Sequence, residues 1–280
     1  MTKFTCKKNK LLFTIAIFAC TLIISEQKLF AQIFSINESF EDPSFAKSWN
    51  REEKCCDFSI QRSDSIAHTG KHSLRFEVNR NDKSVANGKR AEIAWHTERK
   101  TNIDRWFSFS IFLPEDYEKE QVSDILAQWH ESPDKALGES WRTAPIALKT
   151  QNGYWRAVIQ WSPDQVNTDK SIAGRQNFAL GKQDKNQWTN WVFHIRFSYS
   201  DDGLIEIWKN GEQVLNYPGP NYYNDKKGPF FKFGIYKPDW KNPASKSTVT
   251  KRVVFFDDVI IGNENANLKM IESLRNNKTE

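Results

Sequence analysis

Three short stretches of the chain are more polar than a buried strand tolerates: Lys89-Arg90-Ala91-Glu92-Ile93, Gln128-Trp129-His130 and Phe231-Lys232-Phe233-Gly234-Ile235-Tyr236. In an extended strand, side chains two apart share a face, which joins Arg90 with Glu92, Gln128 with His130, and Lys232 with Tyr236 across Gly234. On one sheet they would offer a guanidinium, an amide, an imidazole, an ammonium and a phenol, with Gly234 leaving room for a polymer backbone. That set suits β-elimination beside a uronate carboxylate. The C5 proton there is weakly acidic until the carboxylate is neutralised; a base must take it, and an acid must protonate the departing O4. Arg90 and Gln128 are expected to hold the carboxylate, His130 to act as base near neutral pH, and Tyr236 as acid. Lys232 would steady negative charge and lower the phenol's pKa. A second assignment gives Tyr236 both proton steps and leaves His130 to neutralise charge, as suits a proton and leaving group on one face of the sugar.

The elements that must position these groups read as strands. Gly, Pro, Asn and Asp clusters punctuate aromatic and β-branched runs of period two, among them Trp106–Leu113, Trp191–Phe197 and Val253–Ile261. Asn210-Gly211 marks a tight hairpin within Leu204–Leu215. Helix-like stretches are short, at Tyr117–Val122 and Asn267–Arg275. The 11 Trp and 20 Phe would mostly fill the space between two sheets, while Trp129, Tyr154, Trp155 and Trp161 are candidates for stacking on sugar rings. Alternation sets His194 and Arg196 opposite Phe193, Ile195 and Phe197, so both face either a groove or solvent. His68, His72 and His96 read as surface residues.

Residues 1–31 read as an export signal: Lys3, Lys7, Lys8 and Lys10 precede an apolar run, Leu11 to Ile24, too short to span a bilayer, and cleavage is expected after Ala31. A secreted or periplasmic protein follows, with a lipidated Cys20 as the alternative and no membrane insertion of the mature chain. Removing the signal leaves 35 basic against 34 acidic residues, a net charge of about +1. Such a balance gives no argument for nucleic acid as partner. Cys55-Cys56 remain as two thiols or one local bridge, with no chemistry assigned. Residues 32–280 suffice for one β-sandwich domain.

The polar segments resemble, in order, the signature motifs of the jelly-roll alginate lyases of polysaccharide lyase family 7, which read Arg-Ser/Thr-Glu-Leu-Arg, Gln-Ile/Val-His and Tyr-Phe-Lys-Ala-Gly-x-Tyr-Asn-Gln. The chain is more similar still to the heparin lyase I and glucuronan lyase group, through Lys232 with Tyr236, the strand residue His130, and the hairpin Glu206–Gly211. This resemblance implies an all-β jelly-roll sandwich of two antiparallel sheets, the concanavalin-like lectin/lyase fold. It implies a lyase acting on an anionic uronate-containing polysaccharide, glucuronan- or heparin-like or alginate, with Glu92, Trp129, His194, Arg196 and Lys237 as substrate contacts. Ala91, Ala94 and Lys237-Pro238 depart from the alginate motifs at substrate-holding positions, which weighs against alginate. The related folds also imply a structural calcium ion, here at Glu41 and Asp258 beside the Thr69-Gly70-Lys71 loop. A non-catalytic glycan-binding module is the alternative function. A sandwich hydrolase would need facing carboxylates, usually Glu-x-Asp-x-Glu on one strand, and the sequence has no such run.

Overall fold

Strict alternation of side chains along the strands builds two antiparallel sheets in the computed structural model, which describes residues 32–49, 51–96 and 103–278. The export signal expected over residues 1–31 lies outside the described residues. Sheet 1 runs, in spatial order, β13 (Glu212–Pro218), β12 (Leu204–Lys209), β11 (Trp188–Arg196), β6 (Asp104–Phe112), β15 (Lys251–Gly262), β4 (Ser73–Asn79) and β3 (Ile60–Ser63), with β1 (Phe34–Glu38) also paired to β15. Sheet 2 runs β10 (Gly174–Lys182), β9 (Tyr154–Trp161), β8 (Ile146–Gln151), β7 (Asp124–Ser132), β14 (Lys227–Lys237), β5 (Lys89–His96) and β2 (Arg51–Glu53). The inner faces meet in an aromatic core that packs Phe107 and Phe193 of sheet 1 against Trp129 and Phe231 of sheet 2. Burying that apolar area drives the two sheets together.

The helix α1 (Leu268–Asn276) starts where the Asn267 side chain caps the Met270 amide. It covers the outer face of β6, where Arg275 donates to the hydroxyls of Ser108 and Ser110. Residues 117–122, expected to be helical, form an irregular loop instead. Tertiary bonds override the helical tendency there: Tyr117 is buried against Asp124, and Glu120 accepts from the Thr248 amide and pairs with Lys237. Asn210 and Gly211 both have positive φ, 51° and 85°, as the expected tight hairpin requires. Cys55 and Cys56 are joined by a disulfide, so the nearby Asp82 carboxylate meets no thiolate. Among the described residues no helix is long and apolar enough to cross a membrane.

Candidate active site

All five expected catalytic residues project from the outer face of sheet 2. β14 gives Phe231, Phe233 and Ile235 to the core, β7 gives Ala127 and Trp129, and β5 gives Ala91 and Ile93. Their alternates therefore point outward. Pairing then sets Arg90 beside Tyr236, Glu92 beside Gly234, and Gln128 beside Lys232. Gly234 has a φ of 133°, and a Cβ there would come within 2.2 Å of the Ala91 carbonyl oxygen. Its glycine is thus required by the close approach of β5 rather than by a passing polymer.

Two carboxylates knit the cations together. Lys232 Nζ lies 2.8 Å from Glu53 Oε2 and 3.0 Å from Glu92 Oε2, and Arg90 Nη1 lies 3.2 and 3.1 Å from the same two oxygens. Gln128 donates to the other oxygen of Glu92, and Arg51 sits 2.9 Å from Glu53 Oε1. Burial opposes ionisation of Glu53, but Lys232, Arg90 and Arg51 outweigh it and hold its carboxyl below the usual range. Arg90, Glu92, Gln128 and Lys232 are buried, whereas Tyr236 is half-exposed. The Arg90 guanidinium lies 3.8 Å from the centre of the Tyr236 ring, where a cation is favoured by the ring's electron density. Arg90 Nε is buried and has no hydrogen-bond partner among the described residues. Over the phenol runs the tight turn Val85–Gly88; a Cβ on Gly88 would fall 2.6 Å from the Tyr236 ring, so the turn needs glycine to seat the phenol.

His130 belongs to a different neighbourhood. It sits opposite Phe230, so the transverse rows of Lys232 and Gly234 separate it from Tyr236. Its ring stacks on Phe230 at 5.4 Å and meets the edge of Trp141 at 5.5 Å, while Nδ1 is 3.2 Å from the Glu131 carbonyl oxygen. Trp141 is 53% exposed, a large aromatic surface open to a ligand.

A family model described as polysaccharide lyase matches residues 41–260 of this chain. The chain belongs to that polysaccharide lyase family. Solved structures similar to this lyase include an endo-β-1,4-glucuronan lyase from the fungus Trichoderma reesei, with a TM-score of 0.69 at 17% identity, covering 83% of this chain and 96% of that one. An alginate lyase in complex with dimannuronate gives 0.51 at 12% identity, covering 81% and 94%. The binding domain of botulinum neurotoxin DC in complex with rat synaptotagmin II gives 0.55 at 10% identity, covering 88% and 52%. These likenesses establish the jelly-roll fold. No curated protein sequence matches the lyase.

Several expected substrate contacts of the lyase lie elsewhere. Trp129 is 1% exposed between the sheets, and Trp155 is equally sequestered against Trp191. Lys237 points to the opposite face from Tyr236, where it is buried and paired with Glu120 and Asp124. His194 and Arg196 belong to the outer face of sheet 1, on β11. Glu92 is a buried anchor for Arg90 and Lys232 rather than an exposed sugar contact. Two residues escaped sequence reasoning. Glu53 lies on a three-residue strand far along the chain from Lys232, and Trp141 lies in a loop where only its neighbour His130 gives it meaning.

The calcium site implied by the fold does not fit the residues present. Glu41 accepts from the amides of Lys71 and His72 and contacts the His72 ring. Asp258 accepts from the Thr69 hydroxyl, contacts the His68 ring, and has Lys278 at 3.3 Å. The carbonyls of Phe40 and Glu41 are taken by Arg62. A hard cation needs oxygen lone pairs turned toward it, and here N–H and O–H donors already meet them. Beside this cluster, burial and the neighbouring Asp258 push the Asp257 carboxyl up to about 7.

Proposed function

We propose that the substrate is an anionic, uronate-containing polysaccharide lying across the strands of sheet 2, and that Tyr236 is both base and acid of the elimination. The observation that carries this reading is the Tyr236 phenol laid on Arg90 beside a cluster in which Arg51, Arg90 and Lys232 outnumber Glu53 and Glu92. The positive charge of Arg90 beneath the phenol, with that of Lys232 and Arg51, offsets the uronate carboxylate, which must happen before C5 gives up its proton. Tyr236, acting as base through its phenolic oxygen, takes that proton, and the C5–H electron pair forms the C4=C5 double bond. The C4–O4 bond breaks with its pair passing to O4, which recovers the proton from the phenol. No water is consumed.

One side chain can perform both transfers only where the C5 hydrogen and O4 lie on the same face of the ring. That holds for 4-linked glucuronate and mannuronate and fails for guluronate. Glucuronate is also the class named for the fungal lyase of similar fold. The basic and apolar start of the chain supports export to where such polymers occur. A panel of glucuronan, mannuronate-rich and guluronate-rich alginate and heparin-like chains tests the reading through the ultraviolet absorbance of the unsaturated product. Absorbance should rise with glucuronate or mannuronate polymers; cleavage confined to guluronate blocks would defeat the single-tyrosine scheme.

A further inference from the structure

Sheet 2 holds a second concentration of positive charge beyond the elimination centre. The transverse row through Arg90 and Tyr236 continues across Ile125 of β7 to Lys149 of β8 and Arg156 of β9. Leu148, Trp155 and Ala157 face the core, so Lys149 and Arg156 point to the same outer face as Tyr236. On the edge strand β10, Arg175 sits opposite Gln160 and donates to its side-chain oxygen. Among the described residues, none of these three cations has a carboxylate within ion-pairing distance, whereas Arg90 and Lys232 share two. Arg156 Nε is buried without a hydrogen-bond partner. Lys149 is half-buried, and both its burial and the charges of Arg156 and Arg175 depress its pKa. Gathering like charges at a partly buried surface raises the energy of the free protein, and a bound anion relieves it.

We infer that Lys149 and Arg156, with Arg175 adding charge four residues further along the strands, form a second anion subsite, which holds the carboxylate of another uronate further along the chain, on the β8–β10 side of the scissile linkage. This rests on the uronate-lyase reading above. Strands lie about 4.8 Å apart, so Lys149 stands two spacings, roughly 10 Å, from Tyr236. A pyranose polymer covers that distance in a couple of residues. The lyase would therefore read a run of uronates rather than an isolated one.

The test compares initial rates of the wild type, Lys149→Met, Arg175→Gln and the triple variant Lys149→Met/Arg156→Gln/Arg175→Gln. Each is assayed on a fully charged uronate polymer and on the same polymer with part of its carboxylates reduced to alcohols. On the charged polymer the triple variant should show KM raised roughly tenfold or more, the scale of losing charge-assisted hydrogen bonds, with kcat little changed. Its penalty should shrink on the reduced polymer, and its KM should depend less on salt. Lys149→Arg, which keeps the charge, should stay close to wild type. Arg175→Gln alters an exposed residue and should raise KM by itself even if the triple variant fails to fold. Unchanged KM in both Arg175→Gln and a folded triple variant, with the wild type active, would overturn the inference alone. A wild type that forms no unsaturated product from any uronate polymer would overturn the underlying reading and this subsite with it.

Discussion

The outer faces of the two sheets carry similar polar side chains and complete them differently. On sheet 1, His194 sits 2.8 Å from both Asp104 and Glu206 and stacks on Trp106 at 4.2 Å, while Arg196 donates to the Asp202 carbonyl. Burial works against charge on His194, but the two carboxylates outweigh it and raise its pKa. On sheet 2, among the described residues, Arg90 and Arg156 each keep a buried Nε without a hydrogen-bond partner, and Lys149, Arg156 and Arg175 have no carboxylate within ion-pairing distance. Buried donors left unmatched cost free energy. Sheet 1 closes His194 and Arg196 among its own groups, whereas the unpaired charge on sheet 2 is what the proposed anionic ligand would answer.

The comparison is broken most directly by Tyr236→Phe. It should cut turnover about a hundredfold or more, the usual scale for a positioned acid or base, with no change in melting temperature. His194→Gln should leave turnover intact; equal losses in the two variants would erase the distinction between the faces. Next in size is Glu53→Gln, which takes a charged partner from buried Lys232 and Arg90. Calorimetry should show the melting temperature lowered by roughly 5–10 °C, and an unchanged melt would mean that Glu92 alone compensates both cations.

A smaller effect concerns pH. The folded-state pKa of His194 lies above its unfolded value, so the stability it contributes is complete below about 6.5 and is lost as pH rises through the folded value. Urea melts of His194→Gln should accordingly lack that decline above neutrality. Smallest is the effect of chelation. With Glu41 and Asp258 already met by donors, EGTA should leave the melting curve unmoved. A fall would show that an ion displaces those donors and binds the native state.

Much of this arrangement could be read from residue order because a strand has period two. Parity alone brings Arg90, Gln128, His130, Lys232 and Tyr236 to one face, and the same parity sends Trp129 and Lys237 to the other, where resemblance to a motif suggested substrate contacts. Motif membership does not say which way a side chain points. Glu53 was invisible for another reason: its partner Lys232 lies 179 residues away, and nothing local in Arg51-Glu52-Glu53 signals the pairing. Lys149, Arg156 and Arg175 are single charges within otherwise unremarkable strands, and they become a cluster only once β8, β9 and β10 are adjacent. The expected helix at 117–122 failed because burial of Tyr117 and Glu120 overrides local propensity.

The strand order of sheet 2 also acts as a ruler. β14, which bears Tyr236, is followed by β5 and β2 on one side and by β7, β8, β9 and β10 on the other. On the proposed reading the scissile bond lies off-centre on a surface roughly 30 Å wide at strand spacing. Of the two fragments made in each turnover, the one over β7–β10 has twice as many strands beneath it and should leave more slowly. Rates on oligomers of increasing length should climb while each added sugar still finds a strand, then level off once the chain overhangs β10. The width of a sheet, set by backbone hydrogen bonds and by no single side chain, would thereby fix the shortest good substrate.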